Sequence, residues 1–235
     1  MWDWDFAWSI VPQLLEALKV TVTSTFVAFF IAAIAGLLLA IGRRSACKPL
    51  SLVTGGIVEF VRSTPLLVQL YFIFYVLPVF GVSLSPFTAG VIGLGLHYSS
   101  YLSEVYRSGI DSVPRGQWEA AVALNFSKMQ TWGRIIVPQA IPPVIPVLGN
   151  YLIVMFKETP ILSAITLMEI LQTAKMIGST SFRYLEGFTI VGLMFLLLSY
   201  PSSLLVRRLE YRLNRKLSNL SGEANPIGSR KEVGY

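Results

Sequence analysis

Lys157 and Glu158 are adjacent ions in a segment, Pro142 to Ile165, that carries no other charge, and Thr159-Pro160 follows them. A charge left unpaired at the centre of a membrane helix costs roughly 2.5–3.5 kcal/mol. Such a pair is therefore held by charges elsewhere, by structure at a helix break, or by a solute. A zwitterion's carboxylate would suit Lys157. A second polar island, Glu59-Phe60-Val61-Arg62-Ser63-Thr64-Pro65, reads as interfacial structure rather than a ligand set. His97 and Ser99 are two apart on a helix and do not face each other. No nucleophile elbow surrounds Ser99 or Ser100, so His97 reads as a packing residue. One cysteine, Cys47, and one histidine cannot make an intrachain disulfide or a closed metal-ligand set. No Gly-x-x-x-x-Gly-Lys-[Ser/Thr] and no Gly-Lys dipeptide occurs, so the usual phosphate-cradling loop is missing. No catalytic residue, metal ligand or cofactor is assigned to this chain.

The other informative stretch is Gln117-Trp118-Glu119-Ala120-Ala121-Val122-Ala123-Leu124-Asn125. Pro114 suits a first helical turn, where its missing N–H costs nothing, and the spacing predicts a helix over Arg115 to Leu124. Trp118, Ala121, Val122 and Asn125 fall on one face at i, i+3, i+4, i+7. With Glu119 beside it, this small apolar face can enter a groove on a partner. The alternative is an amphipathic helix lying on a membrane surface.

The elements around these residues belong in a membrane. Of the 235 residues, 54% are hydrophobic and only 14% are charged, against about a quarter charged in soluble domains. The net charge of +6 lies between apolar runs rather than on a basic patch interleaved with aromatics, which argues against nucleic acid. Five spans are expected: Val20 to Ile41, Leu66 to Phe80, Phe87 to Tyr106, Pro142 to Ile165 and Phe188 to Val206, with Pro201 kinking the last. Arg43, Arg44 and Lys48 follow the first span. Arg107, Arg115, Lys128 and Arg134 follow the third, and Arg207, Arg208, Arg212, Arg215 and Lys216 the fifth. The positive-inside rule then places the N-terminus outside and the C-terminus in the cytoplasm. The acidic, aromatic start Met1-Trp2-Asp3-Trp4-Asp5 lacks the basic region of a cleaved signal. Residues 1–15 are expected as an extracytoplasmic segment, 16–212 as the membrane domain with a loop at about 110–140, and 213–235 as a disordered cytoplasmic tail.

The central stretch resembles the EAA loop of bacterial ABC-importer permeases: Glu-Ala-Ala, three residues, Gly, nine residues, Ile, one residue, Leu-Pro. Here Glu119-Ala120-Ala121, Asn125, Ile135, Val137 and Pro138 hold the same spacing. Asn125 replaces Gly, and Asn best tolerates the left-handed backbone a turn there requires. Arg62-Ser63-Thr64-Pro65-Leu66-Leu67-Val68-Gln69 resembles the polar amino-acid subfamily signature, with Ser63 for Gly. Glu104 to Ile110 and Lys157-Glu158-Thr159 match the same pattern, and Pro160 stands where Ser is commoner. The resemblance covers about residues 15 to 212. Tyr151 to Lys157, Pro160 to Thr166 and Ser181 to Glu186 look most like the permease subunit of ectoine/hydroxyectoine importers. A glutamine-, arginine- or histidine-type amino-acid permease is the nearest alternative.

The resemblance implies an all-α membrane protein of about five transmembrane helices, with the type-1 ABC importer permease fold and a cytoplasmic coupling helix. It implies a multi-pass, non-catalytic subunit of the bacterial inner membrane. The expected partners are two P-loop ATPases carrying ATP and Mg, a second permease subunit (identical or related), an extracytoplasmic solute-binding protein and membrane lipid. Glu119, Ala120, Ala121, Asn125 and Pro138 are the expected ATPase-coupling residues. Lys157, Glu158, Thr159 and Thr64 are candidates for the solute pathway. An ATP-independent channel or secondary carrier would need no docking helix, and secondary carriers usually show an internal repeat.

Overall fold

Asp3 starts the first helix: its backbone is extended and its carboxylate accepts the Phe6 N–H at 3.1 Å. That satisfies one of the donors every helix start leaves free. Residues 2–221 are described in this computed structural model, with side chains as far as Leu213. Helix α1 (Trp4–Arg43) runs unbroken for 40 residues, about 60 Å and so twice a bilayer's hydrocarbon thickness. The expected span Val20–Ile41 is its second half. Residues 4–15, expected as a separate segment, belong to the same helix.

Ala28, Ala32, Gly36 and Ala40 recur every fourth residue along α1, and all are buried. Such a stripe lets a second helix approach closely. The neighbour is α4 (Pro86–Asp111), which starts where the Ser85 hydroxyl accepts the Thr88 N–H at 3.1 Å. A Cβ on Gly36 would sit 2.8 Å from the Ser99 carbonyl oxygen, and one on Gly95 2.8 Å from Ile31 Cγ2.

Between them α2 (Lys48–Ser63) and α3 (Leu66–Tyr71) are bent apart, α3 continuing through a π turn, Phe72–Val76, and a 3-10 turn, Leu77–Phe80. Pro65 supplies no N–H and disfavours a helical Thr64, which adopts φ −108°, ψ 136°. The carbonyls orphaned at the break are recovered by Gln69, whose amide donates to the Val61 oxygen at 2.8 Å and the Thr64 oxygen at 3.2 Å.

After α4 come α5 (Arg115–Ala123), α6 (Lys128–Gln130), a π turn over Thr131–Ile136 and α7 (Val137–Glu158). Pro142, Pro143 and Pro146 lie inside α7. A 3-10 stretch, Thr159–Ile165, leads to Thr166 at φ 66°. Helix α8 (Ile170–Ser181) is capped by the buried Glu169, which accepts the N–H groups of Leu171 and Gln172 at 3.0 and 2.6 Å. Helix α9 (Leu185–Ser221) contains Pro201. Residues 213–221, expected as disordered, continue this helix; the remainder of the expected tail lies outside the described residues.

Among the described residues, three helical runs are long and apolar enough to cross a membrane: α1, Lys128–Ile165 and Leu185–Leu213. A fourth is added if α2 and the run Leu66–Phe80, bent by 102°, make one crossing. The expected third span, Phe87–Tyr106, lies inside α4. It has the length but not the hydropathy, because its Gly93, Ser99, Ser100 and Ser103 are buried against protein rather than lipid. The main core gathers α1, α3, α4 and α7 around Leu70, Leu94, Leu102, Met155 and Leu162.

Candidate functional site

Two helix breaks, Thr64-Pro65 and Thr159-Pro160, open onto one cavity of about 600 Å³ beside α4. Arg62, Thr64, His97, Tyr101, Lys157 and Glu158 all line it. Irregular backbone inside a membrane protein is tolerated where it lines a cavity or is buried in protein, and here each break exposes polar groups to the same space. Arg62, Lys157 and Glu158 are exposed. Glu158 accepts the Tyr98 hydroxyl at 2.6 Å. Among the described residues neither Arg62 nor Lys157 takes part in an ion pair. The Arg62 guanidinium instead stands 5.4 Å from the centre of the Tyr101 ring, a cation–π contact. Tyr98, Tyr101 and Tyr151 form an aromatic wall with ring centres 5.8 to 6.2 Å apart. Gln69, which closes the first break, also reaches His97 Nδ1 at 3.2 Å.

Thr159 is fully buried and its hydroxyl donates to the Phe156 carbonyl at 2.8 Å. It secures the end of α7 and, of the four pathway candidates, is the one that does not line the cavity. The Thr64 hydroxyl is likewise engaged, accepting from Gln69 at 2.6 Å. The cavity lining adds Arg62, read from the sequence as interfacial, His97, read as a packing residue, and Tyr101, which the sequence did not single out; Tyr98 stands behind them on Glu158. The signal was present: His97, Tyr98 and Tyr101 share a face at i, i+1, i+4 of a helix otherwise rich in Gly and Ser.

A second cavity of about 390 Å³ meets the first at Arg62 and Tyr101. It follows α4 through Glu104, Ser108 and Ser112 to the base of α5, with Pro143 and Val147 of α7 on the other side. Two cations, one carboxylate and a tyrosine wall thus overlook a route along α4. That arrangement can hold a zwitterion, its carboxylate against Arg62 or Lys157 and its ammonium against Glu158 and the rings. Among the described residues no three metal-binding side chains come together.

The second candidate site is α5. Ala121 is fully buried, because α5 seats on the π turn Thr131–Ile136, and Trp118 packs edge-on to Trp132 with ring centres 5.4 Å apart. The sequence reading set Ala121 and Val122 on one outward face. In the structure Ala121 points into the chain's own packing, while Glu119, Ala120, Val122, Ala123 and Leu124 are exposed. Asn125 ends the helix at φ 56°. The Phe126 N–H returns to the Ala121 carbonyl at 3.0 Å and the Asn125 N–H to Val122 at 2.9 Å, the paired bonds of a Schellman motif. Pro114 stands just before the first turn, as its extended backbone requires. Pro138 leaves the Arg134 carbonyl without its i+4 donor directly after the π turn. Gln139 ties α7 to α5 through Gln117 at 3.3 Å.

The frame behind α5 is ionic. Glu104 accepts Arg43 and Arg107, and Asp111 accepts Arg44 and Arg107, which joins the end of α1 to the end of α4.

Comparison with known proteins bears on the family. Residues 32–215 match the family model described as the binding-protein-dependent transport system inner membrane component. A probable amino-acid ABC transporter permease protein of Sinorhizobium fredii is 42% identical, with 90% of this chain and 91% of the relative covered. The L-cystine transport system permease protein of Bacillus subtilis is 37% identical, covering 88% and 91%. Among solved structures, the crystal structure of an amino acid ABC transporter with histidines superimposes with a TM-score of 0.86 at 36% identity, covering 90% of this chain and 99% of that one.

Proposed function

Because the chain belongs to the family of binding-protein-dependent transport system inner membrane components, we propose that it is the permease subunit of an ATP-driven importer for a polar amino acid. It is a non-catalytic membrane subunit, and the energy comes from ATP and Mg held by two partner ATPases. An extracytoplasmic binding protein delivers the solute, and a second permease, identical or related, completes the path. The N-terminus faces outward and the basic ends of α1 and α4 face the cytoplasm.

The observation that carries this reading is the cavity at the two helix breaks. Arg62 from one break and Lys157 and Glu158 from the other line it together, and neither cation takes part in an ion pair among the described residues. The charges fit the two ends of an amino acid, and the second cavity continues toward the cytoplasmic end of α4. The exposed face of α5 takes the ATPases' motion, and α4 and α7 carry it to the cavity as alternating access. The ectoine/hydroxyectoine reading ranks second. A compact zwitterion fits the same charges, but the relatives named above carry amino-acid names. An ATP-independent carrier does not account for the exposed, rigidly seated α5.

The test is uptake into vesicles holding the complete transporter, assayed with a panel of amino acids and with ectoine. Lys157→Met or Arg62→Met removes a charge-assisted contact of about 1.5–3 kcal/mol, so KM for the zwitterion rises roughly 10- to 150-fold. Unchanged uptake by both variants excludes the cavity as the pathway, and uptake without ATP excludes the class.

A further inference from the structure

An apolar groove of about 710 Å³ lies on the opposite side of the cytoplasmic end, between α1, α4 and α7. Neither the solute route nor the exposed face of α5 uses it. We infer that this groove is a binding site for one anionic phospholipid of the inner leaflet, its acyl chain between α1 and α7 and its phosphate at Arg44.

Three features single out that occupant. The first is length. The wall on α7 extends from Val137 to Leu148, about 16 Å of helical rise, close to the roughly 15 Å depth of one leaflet's hydrocarbon. Leu37, Ile41, Ile141 and Ile145 on its walls are exposed on the bare chain. The second is the placement of polarity. Arg44 and Ser45 stand at one end of the groove and Leu37 lies deeper along α1, as a phospholipid requires. Trp132 and Tyr106 also line the groove, and such amphipathic rings collect at membrane interfaces. The third is charge. Among the described residues, Arg43, Arg44 and Arg107 share only Glu104 and Asp111, three guanidiniums for two carboxylates. A phosphate at the groove mouth supplies the missing negative charge. The Ser45 hydroxyl accepts the Cys47 N–H at 3.1 Å, so its own proton is free to donate. Trp132 joins the groove to the seat of α5 through Trp118, so the lipid braces the element that receives the ATPase.

The full chain is purified in mild detergent and offered equal phosphatidylglycerol and phosphatidylcholine of identical acyl chains, and retained lipid is counted by native mass spectrometry. The wild type retains one phosphatidylglycerol with a preference of roughly fivefold, as expected for one basic contact. Ile141→Trp, which fills the groove from an exposed wall, loses the retained lipid. Arg44→Gln keeps a lipid and loses the preference. Leu197→Trp, an exposed change on α9 away from the groove, behaves as wild type. Gel filtration qualifies each variant as folded, and Ile145→Trp on the same wall replaces Ile141→Trp if that variant aggregates. The inference is overturned by equal lipid retention in the groove-filling and α9 variants. It is also overturned by a wild type without headgroup preference, or by a preference that survives Arg44→Gln.

Discussion

Ala120 and Ala121 are neighbours of the same type, and the structure assigns them opposite duties. Ala121 is fully buried where α5 seats on the π turn, whereas Ala120 is exposed. Ala121→Leu forces three extra carbons into a closed contact, and overpacking of this kind costs about 1–3 kcal/mol. At about 1.4 kcal/mol per tenfold, the ratio of seated to unseated α5 falls roughly 5- to 150-fold. Ala120→Leu adds the same carbons to open surface, where the effect on the chain's own stability stays within about 0.5 kcal/mol. The chain alone is assayed by hydrogen exchange across residues 112–130, then mixed with its ATPase for co-purification and transport. Ala121→Leu speeds exchange in the isolated chain and weakens coupling as a consequence. Ala120→Leu leaves exchange unchanged yet weakens ATPase recruitment, because its bulk meets the partner. Native exchange in Ala121→Leu would refute the assignment of that residue to the seat. Native recruitment and uptake by an Ala120→Leu, Glu119→Lys double variant would show that the exposed face of α5 docks nothing.

Asn125→Gly is neutral or stabilising because φ 56° suits glycine, whereas Asn125→Val loses about 1–2 kcal/mol; thermal unfolding of the two variants separates them. Gly36→Val drives a side chain against the Ser99 carbonyl oxygen, 2.8 Å from the first added carbon. Backbone cannot yield as a side chain can, so the α1–α4 contact loosens and the yield of monodisperse protein falls, as gel filtration would measure. At the other end of α1, the Arg183 side-chain hydrogen bond and the Phe6 N–H hold the Asp3 carboxyl below its ordinary value of 3.8. A depressed carboxylate contributes stability that is complete above its unfolded pKa and is lost as pH falls through the lowered folded value. Exchange at the start of α1 therefore rises only below about pH 3.8, and Asp3→Asn removes that dependence.

The sequence showed the class of fold because each long apolar run needs lipid or protein around it, and little else satisfies that need. It showed the left-handed turn at Asn125 because few residues tolerate one. It did not show α4 as buried: a Gly- and Ser-rich helix covered by others and a weakly apolar span have similar composition. The position of Arg62 on the cavity was hidden for a related reason. A Pro-terminated helix end predicts a break, but the 102° bend that turns Arg62 toward Tyr101 depends on the Gln69 amide recapturing two carbonyls eight and five residues away. Ala121 was assigned outward because periodicity finds a face without saying what covers it. Its cover, the π turn, arises where Pro138 withholds a donor, and local pattern does not reveal that widening.

One helix joins the two functional regions. Helix α7 begins at the seat of α5 and ends on Lys157 and Glu158 at the cavity, about 33 Å away by helical rise. Helix α4 makes the same journey in reverse, from Tyr98 and Tyr101 to Asp111 beside the arginine frame. Both helices thus run between the region of α5 and the walls of the cavity. The two helices approach closely near the cytoplasmic end, where a Cβ on Gly109 would fall 2.2 Å from Val144 Cγ2. Pro142, Pro143 and Pro146 surround that contact, and each removes an i→i−4 hydrogen bond, so α7 bends there more easily than elsewhere. A tight contact beside a soft stretch makes a fulcrum. Under the proposed function, a displacement of α5 would pivot the upper part of α7 at Gly109 and move Lys157 and Glu158 relative to Arg62, which belongs to a different break. The charges that would hold a zwitterion sit on two elements, and under the proposed function their separation would change with the state of α5.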